Sequence, residues 1–87
     1  MDQLCLLTFA SAQHALRAEE LLDSAGLEFD LQPVPPGLAG GCALAIACAG
    51  PLLAEVRAVL AGGGVRPQKL YGRVGFETEW REEDWEA

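Results

Sequence analysis

The chain of 87 residues is long enough for one small domain, and its composition limits what that domain can do. Hydrophobic residues make up 51% of the sequence, which excludes an intrinsically disordered chain. Six Lys and Arg residues against thirteen Asp and Glu residues give a net charge of −7, so a polyanion would repel the chain and nucleic-acid binding is not expected.

The first third of the sequence predicts a strand, a helix and a second strand. Leu4–Phe9 is a continuous apolar run of strand length. Ser11 offers a hydroxyl that can cap a helix, whose apolar residues then recur on one face until Gly26 ends it. Leu27–Gln32 alternates apolar and polar residues, which predicts a half-exposed strand.

The rest of the sequence predicts a loop, a strand, a helix and a fourth strand. Pro33–Gly41 is an uncharged loop with three prolines and three glycines, and Cys42–Cys48 is a second continuous apolar strand. Pro51 suits the first turn of a second helix, which the glycines at 62–64 end. Val65–Val74 is the predicted fourth strand.

This βαββαβ order predicts a ferredoxin-like α+β fold, with a four-stranded antiparallel sheet in the order 4-1-3-2 and both helices on one face. The continuously apolar first and third strands belong in the centre. The fourth strand contains Pro67, which is tolerated at a sheet edge. The face without helices would be strongly apolar, so we expect it to form a homodimer or to be covered by the C-terminal tail.

We expect a single domain over residues 1–75 and an acidic tail over residues 76–87. The tail holds six acidic residues and one basic residue, so it supplies most of the negative charge. Alternation through Val74, Phe76, Thr78 and Trp80 predicts an extra extended segment to about Trp80. A mobile, solubilising terminus is the alternative.

The chain has three cysteines, an odd number, and they do not form a CxxC motif. Together with the lack of a signal peptide or a membrane-spanning run, this predicts free thiols in a soluble cytoplasmic protein that has no membrane association, metal site or cofactor. Cys5 and Cys48 should lie on adjacent central strands, buried and inert.

Cys42 is the candidate reactive thiol. In the predicted topology it enters the third strand near the start of the first helix, close to Ser11 and His14. A helix N-terminus lowers the pKa of a nearby thiol, and His14 could assist as a cation or a hydrogen-bond donor. The alternatives are that Cys42 is a small apolar residue entering a strand and that His14 merely faces solvent.

The loop before Cys42 is the candidate substrate loop. Pro35 stiffens its first half, while Gly40 and Gly41 let backbone N–H groups approach an anionic ligand closely. A structural hairpin connection is the alternative, since the loop matches no phosphate-binding spacing.

One pattern joins the first helix to this loop and to the cysteine that follows it. It reads Phe9-x-Ser11-x-x-His14-Ala15-Leu16-x-Ala18-Glu19-x-x-Leu22-x-x-x-Gly26, then Pro33-Val34-Pro35, then Cys42. Over roughly residues 4–73 the chain thereby resembles the putative selenium/sulfur carrier protein-like family of small bacterial proteins. The resemblance implies that Cys42 holds sulfur or selenium as a persulfide or selenosulfide. Its partners would be a donor protein and an acceptor enzyme.

A second function fits the same sequence, because a ferredoxin-like fold does not by itself decide function. The protein could be a non-catalytic, dimeric binding module that uses the open sheet face and the acidic tail. The acidic tail, which bears Trp80 and Trp85, would then be the main recognition element, since buried tryptophans are frequent hot spots.

Overall fold

The structure, a computed structural model, describes residues 3–38, 43–75 and 77–85. It contains an antiparallel sheet and two α-helices. In chain order the elements are β1 (Gln3–Thr8), α1 (Ala12–Ser24), β2 (Asp30–Pro33), β3 (Leu44–Ala49), α2 (Leu53–Gly62), β4 (Lys69–Val74) and β5 (Arg81–Glu83), with a 3₁₀ turn at Gly50–Leu52 before α2.

The sheet has five strands in the order β2-β3-β1-β4-β5, so the prediction of four strands was wrong. The four predicted strands keep their predicted neighbours, because 4-1-3-2 is the same order seen from the other edge. The fifth strand adds to β4, where Leu70 lies opposite Glu83. Pro67 does not prevent this pairing, since β4 begins only at Lys69 and Pro67, itself buried, lies in the connection before it.

The tail forms its strand later than its alternating pattern predicts. The N–H of Glu77 donates to the carbonyl of Val74 at 2.8 Å, which turns the chain back directly after β4. Residues 81–83 then run antiparallel to β4, and Lys69 pairs with Glu82 at 3.1 Å. The residues between Val74 and Trp80, which alternation assigned to a strand, lead into and out of this turn. Strand pairing with β4 therefore starts at Arg81.

The first helix is confirmed, and local interactions explain both of its ends. The Ser11 side chain accepts the N–H of His14 at 3.3 Å, which satisfies one of the free donors at the helix start. Gly26, with φ +74°, ends the helix in the left-handed conformation that glycine adopts most readily. Among the described residues, α1 and α2 have 13 and 10 residues, and neither is long and apolar enough to cross a membrane.

The helix-facing side of the sheet holds the larger core. It is built from buried side chains of the strands and both helices, among them Leu7, Phe9, Leu22, Ile46, Val56, Leu60 and Leu70. Cys5 and Cys48 belong to the same cluster.

The opposite face of the sheet is covered within the chain. Leu6, Ala45 and Tyr71 are buried there under side chains from the loop after β2 and from the tail, namely Val34, Leu38 and Trp80. The tail therefore packs on the domain, as one of the two sequence expectations has it. The other, a homodimer, stays a prediction.

Candidate functional site

The register of the sheet brings the start of α1 and the start of β3 to the same end of the domain. Thr8, the last residue of β1, lies opposite Ala45 in β3, and Ser11 follows three residues after Thr8. This agrees with the topology that led to Cys42. Cys42 itself lies outside the described residues, as do the predicted loop residues Gly40 and Gly41.

Ser11 and His14 are in direct contact at the N-terminus of α1. Besides accepting the backbone N–H of His14, Ser11 Oγ lies 2.7 Å from Nδ1 of the imidazole. When the hydroxyl donates to Nδ1, the ring proton lies on Nε2, which makes Nε2 a donor. The contact joins two of the predicted site residues in one polar group at the positive end of the helix. His14 is exposed to solvent there.

The loop that contains Pro35 folds back onto the start of β3. Val34 N–H donates to the carbonyl of Ala43 at 2.8 Å, and Leu38 N–H donates to the carbonyl of Pro35 at 3.3 Å in a turn. Gly37, at φ +89°, supplies the positive φ that this turn requires. The described part of the loop is therefore attached to the residue that follows Cys42 in the chain.

Thr8 is a residue that the sequence analysis missed. It is fully buried, and among the described residues its Oγ1 has no hydrogen-bond partner. Alternation along β1 puts Thr8 on the face of Leu6, which Val34 and Leu38 cover. The signal in the sequence was the lone hydroxyl within the apolar run Leu4–Phe9.

The other two cysteines form a buried pair. Cys5 and Cys48 are free thiols directly opposite each other on β1 and β3, with exposed fractions of 1% and 4%. Their burial on adjacent central strands is confirmed. The hydrogen bond from Cys48 lowers the pKa of the Cys5 thiol, while the same bond and burial raise the pKa of the Cys48 thiol.

A groove of about 570 Å³ opens where the chain leaves α1 and enters β2. Cys48 lines it together with apolar side chains such as Leu27, Phe29 and Leu31. All four of its charged lining residues are acids: Glu19, Asp23, Glu28 and Asp30. The sequence analysis did not find this groove, although the spacing of Glu19 and Asp23 places both on one face of α1.

These features define a small α+β protein with a Ser11–His14 pair at the N-terminus of α1 and two free thiols, Cys5 and Cys48, in its core. The model of the family described as "Putative Se/S carrier protein-like" matches residues 4–72, which is most of the chain. The chain belongs to this family. Comparison with curated proteins found no match, and comparison with solved structures found none either.

Proposed function

We propose that this protein carries sulfur or selenium as a persulfide or selenosulfide on Cys42 and passes it to an acceptor enzyme. The observation that carries the proposal is the family match over residues 4–72, which spans α1, the loop after β2 and the cysteine that precedes β3. The register of Thr8 with Ala45 supports it, because it brings the first residues of β3 to the end of the sheet where α1 starts.

Sulfur transfer by such a carrier needs no external oxidant or reductant, because each step exchanges one S–S bond for another. The Cys42 thiolate attacks the terminal sulfur of a donor persulfide, a new S–S bond forms, and the donor leaves as a thiolate. The acceptor later attacks the same terminal sulfur, and Cys42 leaves as a thiolate. Both steps need an anionic, accessible sulfur that is also a good leaving group, which is a property of thiols with a low pKa.

Three groups at this end of the domain can stabilise an anionic sulfur. The N-terminus of α1 carries partial positive charge, and His14 is held there by its contact with Ser11. The Thr8 hydroxyl is a donor without a partner among the described residues. A buried hydroxyl gains free energy from a hydrogen-bond partner, so the Thr8 hydroxyl is suited to donate to an anionic sulfur at this end.

Burial argues against the other two cysteines as the carrier. Cys5 and Cys48 are 1% and 4% exposed, and their side chains belong to the helix-facing core. A carrier sulfur must be reached in turn by a donor protein and an acceptor protein. Neither core thiol meets this requirement, which leaves Cys42 as the carrier residue of the proposal.

The test is transfer from a cysteine desulfurase supplied with free cysteine, followed by intact mass analysis without reductant. We expect one added sulfur, about 32 Da, on the parent protein and none on Cys42→Ser. Cys48→Ala is the matched control, since it removes a thiol that the proposal does not use. An adduct that persists in Cys42→Ser, or no adduct on the folded parent, contradicts the proposal.

A pKa measurement at Cys42 gives a second, independent test. Alkylation of the folded protein by iodoacetamide across pH, followed at the Cys42 peptide, should give a pKa well below the value of about 8.5 for a free cysteine. Thr8→Val and His14→Gln should each move it upward. A value of 8.5 or above favours the alternative proposal of a non-catalytic, dimeric binding module.

That alternative has a specific structural requirement. A dimer formed through the sheet face opposite the helices would have to displace Trp80 and Leu38 from Leu6 and Tyr71. Sedimentation equilibrium on the parent and on Trp80→Ala would detect it, because removal of the covering indole should strengthen such a dimer.

A further inference from the structure

The Cys5–Cys48 pair has the placement that a disulfide requires. Directly opposed residues of antiparallel strands have Cα atoms about 4.5–5.5 Å apart, and disulfides form at about 4.4–6.8 Å. The two residues are register partners, and their thiols already hydrogen-bond to each other. The backbone spacing of the two strands therefore already allows a bond between the two sulfurs.

The groove beside β2 provides the route to this pair. Cys48 is one of its lining residues, and Cys5 lies opposite Cys48 on β1 in the core. Only 4% of Cys48 is exposed, so its sulfur can be reached only by a small molecule. Four carboxylate side chains line the groove, so anions such as glutathione are repelled while small uncharged molecules can enter.

We propose that Cys5 and Cys48 form a dithiol–disulfide redox site that small, uncharged hydroperoxides oxidise through the acidic groove. This goes beyond the carrier function, because it uses neither Cys42 nor any residue at the start of α1. The chemical class of the co-substrate follows from the burial of Cys48 and the negative charge of the groove.

The reaction balances with hydrogen peroxide as the oxidant. When the pair loses one proton, the directions of the two pKa shifts put the anionic sulfur on Cys5, and transfer of the remaining proton from Cys48 to Cys5 along their hydrogen bond then places the anion on Cys48, at the groove. Cys48 attacks one peroxide oxygen, the O–O bond breaks, and the hydroxide that leaves takes the proton of Cys5. Cys5 then attacks the sulfenic sulfur of Cys48, and hydroxide leaves to become the second water. Overall, two thiols and one hydrogen peroxide give one disulfide and two waters.

A soft metal ion is the competing occupant of a thiol pair. Copper(I) held by two thiolates would leave a net negative charge in a core whose other members include Leu7, Ile46 and Leu60. Burying an unpaired charge among apolar side chains is strongly unfavourable, whereas a disulfide is neutral. The surroundings therefore favour oxidation over metal binding.

The test uses the full-length Cys42→Ser variant as the parent, so Cys5 and Cys48 are its only cysteines and a carrier function plays no part. Under conditions that leave its circular dichroism spectrum unchanged, stoichiometric hydrogen peroxide should lower the mass of the monomer by about 2 Da. The count of titratable thiols should fall from two to none, and dithiothreitol should restore both. The same treatment of the variant with Cys5→Ala or Cys48→Ala added should give oxygen adducts of about 16 Da without the 2 Da loss.

The route through the groove is tested by removing charge from its lining. Adding Glu28→Gln and Asp30→Asn should raise the rate of oxidation by the small anion peroxymonosulfate about two- to fivefold and leave the rate with hydrogen peroxide unchanged. Rates that change equally with both oxidants overturn this route.

Two other results overturn the redox site itself. One is that both thiols persist in the peroxide-treated, folded parent variant or pair only between molecules. The other is stoichiometric binding of copper(I) by a protein that forms no internal disulfide.

Discussion

The guanidinium group of Arg73 lies over the indole ring of Trp80, with Cζ 4.5 Å from the ring centroid. This contact joins β4 to the tail, and the same indole covers Leu6 and Tyr71 on the sheet face that has no helices. Arg73 also donates to the carbonyl of Glu77 at 3.2 Å, which fixes the turn that leads to β5. One arginine thus holds in place the segment that closes the second core.

Replacing Trp80 by alanine should destabilise the fold, because it uncovers the buried side chains of Leu6 and Tyr71 and removes the cation–π contact. We expect the free energy of unfolding, measured by urea denaturation, to fall by about 1–3 kcal/mol. Glu79→Ala, an exposed neighbour in the same turn, should change it by less than about 0.5 kcal/mol. Equal effects of the two substitutions would mean that the tail does not pack on the sheet.

Two leucines of α1 give a matched test of the helix-facing core. Leu22 is fully buried, whereas Leu16 is 45% exposed on the same helix. Leu22→Ala should lower the free energy of unfolding by about 2–5 kcal/mol, and Leu16→Ala by less than about 1 kcal/mol. Thermal and urea denaturation of the pair measure the difference. A larger loss at Leu16 would contradict the assigned helix face.

The cap at Ser11 predicts a graded response to substitution. Ser11→Ala removes the acceptor for the His14 N–H and should cost about 0.5–2 kcal/mol of stability. Ser11→Asp retains an acceptor and adds negative charge at the positive helix end, so it should restore most of this loss. Urea denaturation of the three proteins checks the order. An aspartate variant no more stable than the alanine variant would show that Ser11 does not cap α1.

Glu77 makes the stability of the tail depend on pH. The backbone N–H of Val74 and the side chain of Arg81 donate to its carboxylate, and they hold the pKa of Glu77 below its ordinary value of 4.5. The folded state therefore favours the ionised form. The stabilisation is fully present above the unfolded-state pKa and is lost as the pH falls through the folded-state pKa.

The matching experiment compares Glu77→Gln with the parent protein in urea at about pH 7 and at about pH 2.5. The variant should be less stable at neutral pH, and the difference should shrink in acid because the parent carboxylate is then protonated. Glu79→Gln serves as the control in the same exposed turn. A difference that stays constant across this range would contradict the role of the ionised carboxylate.

Prediction from the sequence worked where the interactions are local. The cap at Ser11 and the left-handed Gly26 lie within one turn of the helix ends that they determine, so both ends of α1 were predictable. The apolar runs correctly placed β1 and β3 in the centre of the sheet. The fifth strand was not predictable in its final position, because the hydrogen bond between Glu77 and Val74 overrides the alternation of the tail.

In the candidate site, too, the local contacts were predictable from the sequence and the long-range ones were not. The contact of Ser11 with His14 spans three residues and follows from helix geometry. The buried Thr8 hydroxyl and the acidic groove depend on which distant segments cover them, and no local pattern contains that information.

The sequence by itself determined the order of the two helices and the first four strands, the ends of α1, the family and the burial of two cysteines, because hydrophobic periodicity, capping and motif spacing act along the chain. Only the tertiary structure decided that Cys5 faces Cys48 directly, that β5 pairs with β4 and that Trp80 closes the second core. These relationships join residues far apart in sequence. The register of the strands is fixed by the packing of whole layers of side chains, since a shift by one residue would turn every apolar side chain of a strand to the other face of the sheet.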